Sequence, residues 1–141
     1  MIDNRTAPMA ALLLRLGLGV MFIAHSLLKV FVFTMPGTVQ FFESFGLPGW
    51  VAYVVMAAEL GGGALLILGL YARWVALALV PVLLGAAFLV HWPNGWLFSA
   101  KGGGWEYPIF LTLAAVVQAL LGDGAYALRR PGGAKTATDR A

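Results

Sequence analysis

Four long apolar runs limit what this 141-residue chain can fold into. They cover about residues 9–33, 50–70, 74–92 and 105–121. A helix needs about 20 apolar residues to cross the hydrocarbon core of a bilayer, so each run approaches the length of a membrane span. Hydrophobic residues make up 61% of the chain and charged residues 11%, against about 45–50% and about 25% in soluble domains. A small soluble domain could not bury this much apolar surface, which indicates a lipid environment.

The predicted fold class is therefore all-α, an integral membrane four-helix bundle. Residues 1–128 are expected to form a single domain, and residues 129–141 a basic, disordered cytoplasmic tail. Only a short turn around Tyr71 separates the second and third helices, which must then pack antiparallel. Pro81 lies inside the third helix and predicts a kink there. Small residues that let helices approach closely are Gly61, Gly62, Gly63 and Gly85.

Basic residues concentrate on one predicted side of the membrane and set the orientation. That side carries Arg5, Arg73, Arg129, Arg130, Lys135 and Arg140. The opposite loops, residues 34–49 and 93–104, contain Lys101 as their only basic residue. Because cytoplasmic loops carry an excess of Lys and Arg, both termini are predicted to be cytoplasmic. Residues 39–45 have helical spacing and are expected to lie flat on the membrane surface.

Two further features narrow the function classes. The bases form no patch typical of nucleic-acid binding, so no nucleic-acid partner is expected. The chain has no cysteine, which excludes disulfides, thiolate metal sites and dithiol redox chemistry.

Ionisable side chains inside the predicted spans are the candidate functional residues, because each costs about 2.5–3.5 kcal/mol at mid-bilayer. The second, third and fourth helices contribute Glu59, His91 and Glu106. One stripe of the first helix, at about 100° per residue, holds Arg15, Phe22, His25 and Lys29. The helical rise places His25 level with Glu59. We therefore predict one polar cluster in the outer half of the membrane, contributed by all four helices.

Most of these residues also have a structural interpretation. Arg15 can extend to the cytoplasmic surface or pair with Glu59. A Lys29–Glu59 or Lys29–Glu106 ion pair can simply fix the helix register. His91 fits an ordinary interfacial position. Nitrogen and oxygen ligands suit several metals, but a spread in depth of roughly 10 Å argues against one compact metal site.

The motifs around these residues resemble those of the DoxX family. The resemblance runs through FIAHSLLKV (residues 22–30), FGLP (45–48), AELGG (58–62), His91, GGGWEY (102–107) and GDGAY (122–126). One departure is Ser26, where a glycine commonly follows the histidine. The resemblance implies a four-helix inner-membrane protein. Members are named after a subunit associated with thiosulfate oxidation coupled to quinone reduction, and others are called oxidoreductases or linked to oxidative stress.

The cluster and the resemblance together favour the membrane subunit of a quinone-linked oxidoreductase. His25, Glu59 and Lys29 are the candidate catalytic residues, because a histidine and a carboxylate can deliver protons to the quinone oxygens. The candidate quinone-binding residues are Arg15, Phe22, His91, Glu106 and Tyr107. No flavin, haem or iron–sulfur motif is recognisable, so electrons would come from a substrate or a peripheral redox protein.

Two other functions stay open. The chain could be a non-enzymatic scaffold or assembly partner for a peripheral redox protein, with a purely structural ionic cluster. It could also be a small proton-linked carrier, although the sequence shows no repeated halves of the transporter kind. The sequence leaves the oligomeric state open, a homo-oligomer included.

Overall fold

The computed structural model describes residues 3–128, and its regular elements there are all helices. They are α1 (Ala7–Phe31), α2 (Met35–Ser44), α3 (Trp50–Leu68), α4 (Ala72–Gly85) and α5 (Glu106–Leu121). A π-helical segment, Ala86–His91, and a short 3-10 helix, Trp92–Asn94, continue α4. The all-α fold class is confirmed. The predicted tail, with Arg129, Arg130, Lys135 and Arg140, lies outside the described residues.

Three stretches are long and apolar enough to cross a membrane: α1, α3, and the continuous helical run Ala72–Asn94. The fourth apolar helix, α5, has 16 residues. At 1.5 Å per residue it is about 24 Å long, shorter than the hydrocarbon core of about 30 Å. Four membrane spans therefore stay a prediction, as does the orientation of the termini.

Local chemistry explains where the helices begin and end. Pro8 sits in the first turn of α1, where a missing N–H costs nothing, and the helix starts before the predicted residue 9. Gly69 ends α3 in the left-handed conformation, with φ of 69°. α4 begins two residues before the predicted Trp74, because the backbone N–H of Ala72 donates to Asp123 Oδ1 over 2.7 Å. The sequence alone gives no sign of that distant cap.

The four long helices pack in a ring in which α1 contacts α3 and α5, and α4 contacts the same two helices. α1 and α3 run antiparallel, since Gly19 lies against Gly63 while Lys29 lies against Glu59. We call the two ends of the ring the Arg15 end and the Lys29 end. They are 14 residues apart on α1, or about 21 Å. The core between them holds Leu18, Phe22, Leu66, Ala72, Ala76, Leu79, Leu83, Ala115 and Ala119.

Two glycines form the closest contact between α1 and α3. A Cβ on Gly19 would lie 2.6 Å from Ile67 Cγ1, and a Cβ on Gly63 would lie 2.8 Å from the Gly19 carbonyl oxygen. Gly62 faces Leu79 of α4 in the same way. The prediction of close packing is confirmed for Gly62 and Gly63. It is wrong for two others, which face open space: Gly61 and Gly85.

Adding a methyl group at this contact should destabilise the fold. We expect Gly19→Ala or Gly63→Ala to lower the free energy of unfolding by about 1–3 kcal/mol, because the helix backbones would have to separate. The matched controls are Gly17→Ala and Gly61→Ala, where a Cβ meets nothing within 4 Å. These should be neutral or stabilise by up to about 1 kcal/mol, from helix propensity. Denaturant titration in detergent checks this, and equal losses at all four positions would contradict it.

The π-helical segment was not predicted. It follows Pro81 and ends at His91, one of the candidate site residues. Such segments often occur at functional sites because the wider turn redirects the side chains that follow it. The kink predicted at Pro81 stays a prediction. α2 contains most of residues 39–45, and its buried Thr38 donates to the Lys29 carbonyl oxygen over 2.9 Å.

Candidate functional site

A buried ion pair joins α1 to α3 near the Lys29 end. Lys29 Nζ lies 2.6 Å from Glu59 Oε2, and their side chains are 17% and 8% exposed. The Lys29 ammonium also donates to the carbonyl oxygen of His25 over 3.4 Å. Ser26, on the same face of α1, donates from its hydroxyl to the Met56 carbonyl oxygen of α3. Of the two ion pairs considered for Lys29, the Lys29–Glu59 pair is confirmed.

His25 lies one helical turn before Lys29 and is half-buried. Its Nδ1 is 2.8 Å from the carbonyl oxygen of Met21. A carbonyl oxygen can only accept, so Nδ1 carries a hydrogen and donates it. The ring stacks on Tyr107 of α5, with ring centroids 6.2 Å apart. The predicted pairing of His25 with Glu59 is not formed, because His25 bonds to its own helix and Glu59 bonds to Lys29.

The other two candidates flank the loop that leads into α5: His91 ends the π-helical segment, and Glu106 begins α5. His91 Nδ1 lies 2.9 Å from the Gly103 carbonyl oxygen, which also accepts from the Asn94 amide over 3.0 Å. Glu106 Oε1 accepts from the backbone N–H of Phe98 over 2.8 Å. Both side chains therefore fix the course of the loop.

The predicted single cluster is thus divided. Within residues 3–128, the Lys29–Glu59 pair and the His91 and Glu106 bonds are three separate groups. Equal depth along the helices brought these residues to one end of the fold. It did not determine their partners. His25, His91 and Glu106 bond to nearby backbone groups, whereas Lys29 and Glu59 bond to each other.

Arg15 follows neither of its two predicted interpretations. Its side chain is 1% exposed and lies at the Arg15 end. Nη1 donates to the carbonyl oxygen of Asp123 over 2.8 Å, and Nη2 to that of Ala125 over 3.3 Å. The guanidinium neither reaches a surface nor pairs with Glu59. It joins the start of α1 to the segment that follows α5.

That segment, Gly122–Leu128, crosses the Arg15 end and bonds to several helices. The Ala125 N–H donates to the Pro8 carbonyl oxygen of α1, and the Leu128 N–H donates to the Leu68 carbonyl oxygen of α3. The Asp123 carboxylate caps α4, as described above. We call residues 122–128 the closing segment.

Phe22 and Tyr107 occupy different surroundings. Phe22 is 4% exposed and packs in the hydrophobic core. Tyr107 is 39% exposed, stacks on His25 and directs its hydroxyl to the Met21 sulfur at 3.6 Å. It also lines a pocket of about 330 Å³ with Trp96, Phe98, Glu106 and Phe110. Quinone binding by any of the predicted residues stays a prediction.

The family model named DoxX matches residues 10–92, which include most of α1 and the whole of α2, α3, α4 and the π-helical segment. The chain belongs to the DoxX family. The resemblance stated from the motifs is confirmed.

Two relatives of this DoxX protein carry names that refer to an oxidoreductase and to a membrane protein. "Putative oxidoreductase CatD" of Bacillus subtilis (strain 168) is 37% identical over 125 residues, which cover 89% of this chain and 88% of that protein. "Inner membrane protein YqjF" of Escherichia coli (strain K12) is 32% identical over 96 residues, covering 67% and 71% of the two chains. No solved structure matches significantly. With its apolar helices, the DoxX chain is a membrane protein.

Sequence reasoning missed two polar residues of this DoxX protein, one half-buried and one fully buried. Asp123 entered the prediction only as part of the GDGAY motif, yet it caps α4 beside Arg15. Gln118 is fully buried in α5 and donates to the Gly122 carbonyl oxygen over 2.7 Å. An acidic residue between two glycines, directly after an apolar helix, could have been matched with the unpaired Arg15. In the described part of the chain, no three His, Asp or Glu side chains are grouped to hold a metal ion.

Proposed function

We propose that this DoxX protein is the membrane subunit of a quinone-linked oxidoreductase, and that the quinone head group binds beside His25 and Tyr107. The observation that carries the proposal is the state of the His25 ring. Its Nδ1 is committed to Met21, and its ring is held against an aromatic side chain. This leaves Nε2 as the nitrogen that can exchange a proton with a ligand.

Reduction of a quinone to a quinol takes two electrons and two protons, one proton for each oxygen. The chain has no residue type that stores electrons, so we assign both electrons to a peripheral redox protein. A protonated His25 would give one proton from Nε2. The second would come from the proton held between Lys29 and Glu59, one turn further along α1. Both groups would be reprotonated from water.

The Lys29–Glu59 pair supports this assignment in a second way. An ammonium group in a mostly buried setting can stabilise negative charge on a quinone oxygen much more strongly than in water. Tyr107 contributes a flat apolar face of the kind against which an aromatic ring packs. A head group in this position would contact α1 and α5 together.

We further propose that all four long helices span the membrane with both termini in the cytoplasm. The proposed site would then lie in the outer half of the bilayer. Among the described residues, Arg5 and Arg73 near the Arg15 end, against Lys101 in the opposite loops, support this orientation. Because α5 is shorter than the hydrocarbon core, the residues around Trp105 that precede it would complete the fourth crossing of the membrane.

Quinone binding tests the proposal directly. We expect protein purified in mild detergent to retain a quinone that mass spectrometry detects. We also expect His25→Gln and Tyr107→Leu each to weaken the binding of an added short-chain quinone by about tenfold, the effect of losing one good contact. The matched control is Tyr53→Phe, since Tyr53 is an exposed tyrosine of α3. Wild-type protein that binds no quinone, or a His25→Gln variant that binds it normally, would refute the proposal.

One observation favours the alternative of a scaffold. Lys29 and Glu59 bond to each other and join α1 to α3, which is what a purely structural ion pair would do. A pull-down in mild detergent separates the two functions. Full recovery of a peripheral partner with the His25→Gln, Tyr107→Leu double variant, in protein that binds no quinone, would favour the scaffold.

A further inference from the structure

A small pocket beside α5 combines aromatic rings with one carboxylate. Its volume is about 330 Å³, and it is lined by Trp96, Phe98, Glu106, Tyr107 and Phe110. This lining is chemically distinct from the surroundings of His25, Lys29 and Glu59. Four of the five side chains are aromatic.

Hydrogen bonds fix the loop that forms one wall of the pocket. The Trp105 N–H donates to the Gly95 carbonyl oxygen over 3.0 Å, and the Glu106 N–H donates to that of Trp96 over 3.1 Å. Glu106 Oε1 accepts from the Phe98 N–H. The loop thus closes on the first turn of α5 and fixes the position of the Glu106 carboxylate, which is one of the lining groups. A preformed site of this kind loses little conformational entropy when it binds a ligand.

The charge of Glu106 has no cationic partner. No Lys, Arg or His nitrogen lies within 4 Å of its carboxylate among residues 3–128. Lys101, in the same loop, is exposed and forms no ion pair in the part of the chain that is described. The N-terminus of α5 offsets part of the negative charge, because a carboxylate in the first turn of a helix interacts favourably with the macrodipole. A net attraction for cations remains.

We propose that this pocket binds an alkylammonium group. Aromatic faces carry negative electrostatic potential and attract quaternary ammonium ions, and the Glu106 carboxylate adds a full negative charge. A neutral ligand of the same shape gains only the apolar contact, and an anion is repelled. The alkylammonium group can belong to a small soluble cation or to the head group of a membrane lipid. The proposal stands apart from quinone binding, although Tyr107 borders both sites.

Choline and its uncharged carbon analogue 3,3-dimethyl-1-butanol test the charge requirement. We expect the full-length protein in a non-ionic maltoside detergent to bind choline at least about tenfold more tightly than the analogue, measured by equilibrium dialysis. High salt should weaken the binding of choline. Equal binding of the two compounds, or no binding of choline, would overturn the proposal.

Two variants test whether choline binds in this pocket. Glu106→Gln keeps an amide oxygen that can accept from Phe98, so the loop should stay closed while choline affinity falls about tenfold. Phe110→Leu keeps apolar volume on an exposed position of α5 but removes one ring, and should weaken choline several-fold. The controls are Glu43→Gln, an exposed glutamate of α2, and Phe31→Leu, an exposed phenylalanine of α1. Normal choline binding by Glu106→Gln would refute the site.

Lipid composition identifies the source of the ammonium group. Choline binding is compared in nanodiscs that contain phosphatidylethanolamine and in nanodiscs of phosphatidylglycerol alone. Weaker choline binding in the presence of phosphatidylethanolamine would mean that the lipid's ammonium head group occupies the pocket. Equal choline binding in the two lipids would assign it to a small soluble cation. His25→Gln should bind choline normally, because His25 does not line the pocket. Protein that binds choline but no quinone would keep this proposal and refute the earlier one.

Discussion

A Glu59→Ala variant is expected to lose about 3–5 kcal/mol of the free energy of unfolding, because it leaves a buried ammonium group without its counter-charge. In the wild-type protein, Lys29 Nζ lies 2.6 Å from Glu59 Oε2, and both side chains are mostly buried. No other carboxylate lies within 4 Å of Lys29 among the residues described. Denaturant titration in detergent, followed by circular dichroism, measures the loss.

The double variant Lys29→Met, Glu59→Leu provides the decisive comparison. Replacing both members of a buried ion pair with apolar side chains of similar size is often neutral or stabilising, so most of the lost stability should return. Glu43→Ala, at an exposed glutamate, should change stability little. If Glu59→Ala were as stable as Glu43→Ala, the pair would not act as a buried interaction. Because the double variant should fold without the two charges, it would also show whether those charges are needed for the protein's function.

An Arg15→Met variant should be destabilised to a similar extent, by about 3–5 kcal/mol. The loss has two parts. The carbonyl oxygens of Asp123 and Ala125 would lose their donors, and each buried unsatisfied group costs about 1–3 kcal/mol. Asp123 would also lose the nearby positive charge while it still caps α4.

Hydrogen exchange distinguishes this effect from a general loss of stability. In Arg15→Met, the backbone amides of Ala125 and Leu128 should exchange faster than those in the middle of α3, because the closing segment is released first. Arg73→Met is the matched control, since Arg73 is an exposed arginine at the same end. Uniform acceleration along the whole chain would mean that Arg15 does not hold the closing segment.

The sequence predicted those features that depend on pattern alone. Apolar runs located the four long helices, and the short turn before Arg73 predicted antiparallel α3 and α4. The charged stripe on α1 predicted that Lys29 pairs with Glu59 or with Glu106, and the pair with Glu59 is formed. Glycine spacing predicted the close approach at Gly63. Each of these follows from geometry that repeats along a helix.

Features that depend on the choice between nearby partners were not predicted. His25 lies level with Glu59 by helical rise, yet the carbonyl oxygen one turn earlier in its own helix is a nearer partner. The cap of α4 by Asp123 spans 51 residues of sequence, and no local pattern at Ala72 reveals it. The π-helical segment before His91 has no recognised sequence signal. The membrane topology also depends on the surrounding lipid. Sequence rules such as the excess of Lys and Arg in cytoplasmic loops describe topology only as an average tendency.

The closing segment has a consequence for how the protein is made. Arg15 enters the membrane with α1, but its two acceptors follow 108 and 110 residues later in the chain. During that interval the guanidinium has none of its final hydrogen bonds, so the early intermediate must keep it near water or lipid head groups. Residues synthesised 108 and 110 positions later therefore complete the burial of Arg15. A chain truncated before residue 123 would carry an uncompensated charge, which membrane proteases and insertases could recognise as unfinished.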